Sequence, residues 1–161
     1  MNNIDKNYFR NAMSNLGAAV SIVTTDGKDG PRGLTVSAVC SVTDTPPTLL
    51  VCLNRSNRSY EQFIANGNLC VNVLARGHEM LSGLFASSSD SKERFQNGDW
   101  STLHTGAPVL NEAIASFDCK IINVSEVGSH GVLYSAVKAI KTGPQIDGLA
   151  YFRRSYCLFS A

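Results

Sequence analysis

Gly33–Pro47 reads GLTVSAVCSVTDTPP, and its interpretation decides the fold. Hydroxyls fall on odd positions, Thr35, Ser37 and Ser41, and small apolar residues on even ones, Val36, Ala38, Cys40 and Val42. This alternation is the period of a strand. On a barrel wall the even set is expected to face the core and the odd set to face outward. Nothing after Leu34 is large. A solvated strand face ordinarily carries long charged side chains, whereas one kept short lets a flat body approach the backbone and hydrogen-bond to it. A planar heterocycle with polar edges suits such a surface.

The segments around this strand follow a β-rich pattern. AAVSIVTTDGKDGPRGLTVSAVCSV reads as strand, turn, strand, with Asp26-Gly27, Asp29-Gly30, Pro31 and Gly33 as turn chemistry. TPPTLLVCLN and LCVNVLA are further strands, the prolines confined to the entry of the first. IASFDCKIINVSEVG and GVLYSAVKAIKTG form a long pair joined at Gly128-Ser129-His130-Gly131, and GLAYFRRSYCLF closes the chain as a strand. Helical spacing at Phe9, Ala12, Met13 and Leu16 predicts a helix capped by Asp5 and stopped by Gly17. A second helix is predicted from Ser59 to Ala65, with Ser59 and Gln62 as a capping box and Gly67 as its stop. A third is predicted from Gly77 to Ala86, and a short turn of helix from Asp90 to Phe95. Strands joined mainly by hairpins predict a closed or nearly closed antiparallel barrel with flanking helices; a parallel sheet needs a helix after nearly every strand.

The chain has 161 residues and a net charge of +1, enough for one domain with a real core and too balanced for a bulk pull toward nucleic acid or anionic membrane. No apolar run reaches the length of a membrane span, and the polar start MNNIDKNYFRNAM lacks the order of a signal peptide. The five cysteines form no C-x-x-C pair and sit in apolar settings, which predicts free, mostly buried thiols in a reducing cytoplasm. His78, His104 and His130 are scattered, so no metal site is expected.

NRSNRSYEQF, Asn54 to Phe63, lies between a strand end and a helix start. Asn54, Ser56, Asn57 and Ser59 offer hydrogen bonds, and Arg55 and Arg58 offer charge, a combination suited to a phosphate. A flat polar ring with a phosphate tail is therefore the expected ligand.

These segments, LTVSAVCSVTDTPP and CLNRSN, together with FRNAMSNLGAAVSIVTT, LCVNVL, ERF, GSH and LAYFRR, resemble the short flavin reductases, in order and over nearly the whole chain. The likeness is closest to the reductase component of two-component 4-hydroxyphenylacetate 3-monooxygenases. The resemblance implies a split β-barrel, a homodimer, and transfer of hydride from NADH or NADPH to FAD or FMN. Reduced flavin then serves a separate monooxygenase that hydroxylates aromatic compounds. It implies flavin contacts at Thr35, Ser37, Ala38, Val39, Cys40 and Ser41, phosphate-side contacts at Asn54, Ser56, Asn57 and Ser59, and bordering residues Phe85, Ala86 and Arg94. Gly128 and His130 map to the nicotinamide side, His130 in the catalytic role, with Tyr151 and Arg153 closing it. The family triplet Gly-Asp-His is here Gly128-Ser129-His130, without the carboxylate. The chain ends at SYCLFSA, sooner than the resemblance implies, so a looser dimer or a more open groove is expected. No G-x-G-x-x-G follows a strand, so the nicotinamide cofactor is expected to share the flavin groove. A non-catalytic flavin-binding barrel is the alternative, and an oxidase of the pyridoxamine phosphate type is disfavoured by the scarcity of basic residues.

Overall fold

The computed structural model describes residues 4–160. Twelve strands and four helices follow in the order α1 (Lys6–Met13), β1 (Ala18–Ala19), β2 (Ser21–Thr25), β3 (Arg32–Val36), β4 (Val39–Asp44), β5 (Pro47–Asn54), α2 (Tyr60–Asn66), β6 (Asn68–Val73), α3 (Glu79–Ala86), α4 (Ser91–Phe95), β7 (Trp100–Thr102), β8 (Pro108–Leu110), β9 (Ala115–Val127), β10 (His130–Thr142), β11 (Gly148–Phe152) and β12 (Ser155–Phe159). Seven strands form one antiparallel sheet in the order β3-β2-β6-β9-β10-β5-β4. Its two edge strands, β3 and β4, are consecutive in the chain and separated by Ser37-Ala38 alone. A sheet whose edges are tied by two residues has to curl until they meet; just past the tie the Cys52 N–H donates to the Ala38 carbonyl at 3.0 Å and starts the β4–β5 ladder. The result is the expected split β-barrel, mainly β with flanking helices.

The barrel interior is filled by Val23, Leu34, Val51, Leu53, Phe63, Leu69, Val71 and Leu133. A second core, with Ile22, Leu74, Phe85, Leu110 and Leu149, lies on the other side of β2. β2 serves both cores, which is why all five of its residues are buried. The β1-β11-β12 sheet and the β7-β8 ribbon complete the architecture.

Several expectations need correction. Gly33–Asp44 is not one strand, because β3 ends at Val36 and β4 begins at Val39. Two residues without ladder positions shift the alternation, so Val39 packs on the core while Ala38, Cys40 and Val42 are exposed. The Ser59–Gln62 capping box does not form. Ser59 has a helical backbone and makes no capping bond; its own N–H donates to Asn57 Oδ1 at 2.9 Å. The last strand is a hairpin, turning at Arg153 and Arg154 with φ of 50° and 62°. The β9–β10 hairpin is tighter than expected, with Gly128-Ser129 alone as its loop and a φ of 56° at Gly128. α1 stops at Met13, earlier than Leu16, although Asp5 Oδ1 does accept from the Asn7 and Tyr8 N–H groups at 3.0 and 2.9 Å. Of the free thiols, Cys70 and Cys119 are buried, Cys52 is half-buried, and Cys40 and Cys157 are exposed. Burial pushes the Cys119 thiol up to about 12, helped by the charge of Asp118.

Candidate functional site: an arginine basin beside a cleft of short residues

The strand break creates the first part of the site. Thr35 and Ser37 face outward from β3, and the shifted alternation turns Ala38 and Cys40 outward as well. Across the outer face of β5 and β10 this row continues through Cys52, opposite Ala38, to Asn54 and His130, which are partners in register. Six of the expected residues therefore share one continuous face. Val39 and Ser41 do not join it with their side chains. Val39 packs on the barrel core, and Ser41, paired with Leu49, falls on the opposite face from Cys40.

α3 lies against this row. Thr35 Oγ1 donates to the Ser82 carbonyl at 2.6 Å, which fixes the helix on β3. Gly33 makes that approach feasible, because a Cβ there would stand 2.7 Å from the Phe85 ring. A cleft of about 240 Å³ remains, lined by Thr35, Ser37, Ser82, Ala86, Tyr151 and Tyr156. Tyr151 and Tyr156 meet edge to face at 5.4 Å, and the Tyr156 hydroxyl is 2.9 Å from Ser82 Oγ.

A basin of about 240 Å³ adjoins the same elements, lined by Arg32, Arg58, Arg94, Ser59, Gln62 and Ser89, with Asp90 as its one acid. β3 carries Arg32 of the basin and, three residues on, Thr35 of the cleft, a separation of about 10 Å along a strand. Arg58 donates to the Ser88 and Ser89 carbonyls at 2.5 and 2.7 Å. Arg94 is buried and donates to the Gly33 and Ser87 carbonyls at 2.8 and 2.5 Å. Burial pulls the Arg94 pKa below its ordinary value, Arg58 adds to the effect, and Asp90 opposes it. Three guanidiniums facing one carboxylate leave an excess of positive charge that an anion neutralises.

The remaining expected residues are placed as follows. Asn54 and Asn57 spend their side-chain oxygens on local turns, Asn54 accepting from Ser56 N and Oγ at 2.9 Å each. Ser56 is exposed, and Arg55 pairs with Glu126 at 2.9 Å on the rim. His130 is exposed, and its Nδ1 lies 2.9 Å from Ser129 Oγ. Phe85 is a core residue, 1% exposed and stacked among Phe95 and Trp100, because helical phase turns it toward Gly33 and away from the cleft. Arg153 is tied to the end of α1, its N–H donating to the Ser14 carbonyl at 2.7 Å and its Nε to Asn15 Oδ1 at 2.8 Å. Sequence reasoning missed Arg32, Gln62, Ser82, Ser89 and Tyr156. Only the serine run Ser87–Ser89 before Asp90 hinted at an anion loop.

A split barrel with an anion basin beside a cleft of short residues defines a phosphorylated-cofactor barrel. The chain belongs to the flavin reductase-like domain family, whose pattern matches residues 13–160. It is 51% identical over 153 residues to FMN reductase (NADH) RutF of Pantoea ananatis, covering 95% of this chain and 80% of that one. Identity to the protein of the same name from Variovorax paradoxus is 55%, covering 95% and 85%. Among solved structures, the NADH:FAD oxidoreductase SgcE6 of Streptomyces globisporus matches with a TM-score of 0.90 and 26% identity, over 98% of this chain and 95% of that one. Flavin reductase PheA2 matches with a TM-score of 0.88 and 27% identity, over 98% and 100%. The chain is thus an enzyme of the flavin reductase class.

Proposed function

We propose that this protein oxidises NADH to reduce FMN, with FAD as a poorer substrate, and releases the reduced flavin to a separate monooxygenase. The observation that carries the reading is that the arginine basin and the cleft of short residues are both built on β3, through Arg32 and Thr35, which lie about 10 Å apart along the strand. The residues fit a flavin mononucleotide. Arg32, Arg58 and Arg94 match a terminal phosphate, and the short side chains of Ser37, Ala38 and Cys40 leave room for a flat ring against the strand. The names of the relatives support FMN and NADH.

When bound, flavin and nicotinamide supply the hydride chemistry between themselves, and the protein contributes binding, orientation and exclusion of water. Tyr151 and Tyr156 wall the cleft and limit water on that side. His130 is the proposed nicotinamide-side residue; Ser129 Oγ at 2.9 Å holds its imidazole in place of the family carboxylate.

The oxygenase partner rests on neighbours such as BorF, the flavin reductase component of a two-component tryptophan halogenase, at 25% identity and a TM-score of 0.89. Aromatic hydroxylation, and 4-hydroxyphenylacetate in particular, rests on the sequence resemblance alone. A cytoplasmic setting is supported by the free thiols, two of them exposed. Among the described residues no helix is long and apolar enough to cross a membrane.

The test is NADH oxidation with and without added FMN, FAD or riboflavin. Turnover that saturates with free FMN, at a lower concentration than with FAD or riboflavin, is the expected result. Flavin binding without turnover from NADH or NADPH would overturn the reading in favour of a non-catalytic flavin-binding barrel.

A further inference from the structure

We infer that Gln62 is a specificity-determining residue that reads the terminal phosphate of the flavin, favouring FMN over riboflavin. The inference rests on the proposed function, and three observations carry it. First, Gln62 lines the arginine basin with Ser59, one helical turn away. Second, these are the two residues that sequence spacing assigns to a capping box, yet Ser59 makes no capping bond. Asn57 takes over the turn by accepting from the Ser59 N–H at 2.9 Å, so both side chains are released from helix duty and left at the basin. Third, Gln62 Oε1 is buried and meets no hydrogen-bond partner.

A buried amide oxygen without a donor is an unstable arrangement that native proteins rarely keep. Several other polar groups around the basin have partners: Arg58 on the Ser88 and Ser89 carbonyls, Arg94 on those of Gly33 and Ser87, and Ser91 Oγ on that of Pro31. Among the atoms lining the basin, Gln62 Oε1 is the one that is both buried and without a partner. A glutamine amide presents an acceptor edge or a donor edge according to how it turns. With a phosphate oxygen in the basin, the Gln62 amide donates Nε2–H to it. It adds this bond without adding charge, so it complements the arginines rather than repeating them. Riboflavin lacks the phosphate and gains nothing from it.

The test is equilibrium titration of flavin fluorescence with FMN and with riboflavin, on the wild type, Gln62→Leu and Gln62→Glu. Gln62→Leu is expected to weaken FMN about ten- to hundredfold, the worth of one hydrogen bond to a charged group, and to leave riboflavin unchanged. Gln62→Glu keeps the shape but sets a carboxylate against the phosphate, and is expected to weaken FMN by more than Gln62→Leu while again sparing riboflavin. Inorganic phosphate is expected to compete with FMN more weakly in both variants than in the wild type. Equal losses for FMN and riboflavin, or no loss for either, would overturn the inference. Failure of the proposed function itself would show in the wild type, as an absence of flavin binding or of turnover.

Discussion

At the residue scale the site depends on one side chain that serves fold and ligand together. Arg94 is 6% exposed, and its guanidinium joins β3, through the Gly33 carbonyl, to the end of α3, through the Ser87 carbonyl. Lysine keeps the charge but cannot reach both carbonyls from a fixed planar fork. Arg94→Lys is therefore expected to lower stability by roughly 1–3 kcal/mol, the cost of a buried acceptor left unpaired, and to weaken FMN about tenfold. Urea denaturation reads the first effect and flavin titration the second. A loss of stability with FMN affinity intact would remove Arg94 from the phosphate site and leave it as a brace. Sequence alone placed Arg94 beside the flavin through the family resemblance; its inward position comes from Gly33, which leaves a gap where Phe85 and Phe95 close over β3.

At the scale of elements, the register between β5 and β10 sets His130 beside Asn54, and Gly131 keeps that register flat over Tyr60. A Cβ at position 131 would lie 2.2 Å from the Tyr60 hydroxyl and 2.7 Å from its ring. Tyr60 belongs to the barrel core and cannot move freely. Gly131→Ala is expected to cost about 1–3 kcal/mol by overpacking, measured as a lower urea midpoint at unchanged slope. Adding Tyr60→Phe removes the nearest atom but not the ring, so part of the loss is expected to return; no recovery at all would mean that the strain lies elsewhere. The same elements show what a sequence can and cannot convey. Asp5, the Asp-Gly turns and the apolar runs of β5 and β6 are local signals, and they produced the helix start, the β2–β3 hairpin and the strands expected of them. The break at Ser37-Ala38 carries no glycine or proline, so nothing local announces it. It follows from the need of β3 and β4 to serve both edges of one curling sheet. That single step reverses the facing of Ala38 and Cys40 and brings them to the site. The β7–β8 ribbon likewise exists through its packing on the second core, where Leu110 and Trp100 lie.

At the scale of the whole molecule, the apolar side of α1 has no cover among the described residues. None of its residues is buried, and Ile4, Tyr8, Phe9 and Leu16 are each more than half exposed. Its polar tethers run the other way, from Arg153 to Ser14 and Asn15 and from Arg154 to Asn11. Phe152, beside Gly17, and Phe159 extend the exposed apolar surface across the β11–β12 hairpin, which also carries Tyr151 and Tyr156 of the cleft. Contiguous apolar surface of this kind marks an interface, and we propose that a second copy covers it to form a homodimer. Sedimentation of the wild type is expected to give a dimer at micromolar concentration. Phe9→Glu combined with Leu16→Glu is expected to give a folded monomer, since both side chains stand in water within one chain and their loss leaves neither core disturbed. Because the same hairpin carries the tyrosines of the cleft on its other face, the monomer is also expected to bind FMN more weakly than the dimer. A wild type that sediments as a monomer would reject the homodimer. A dimer that survives both substitutions would move its interface to the outer face of β9 and β10, where Ile122 and Val127 are exposed.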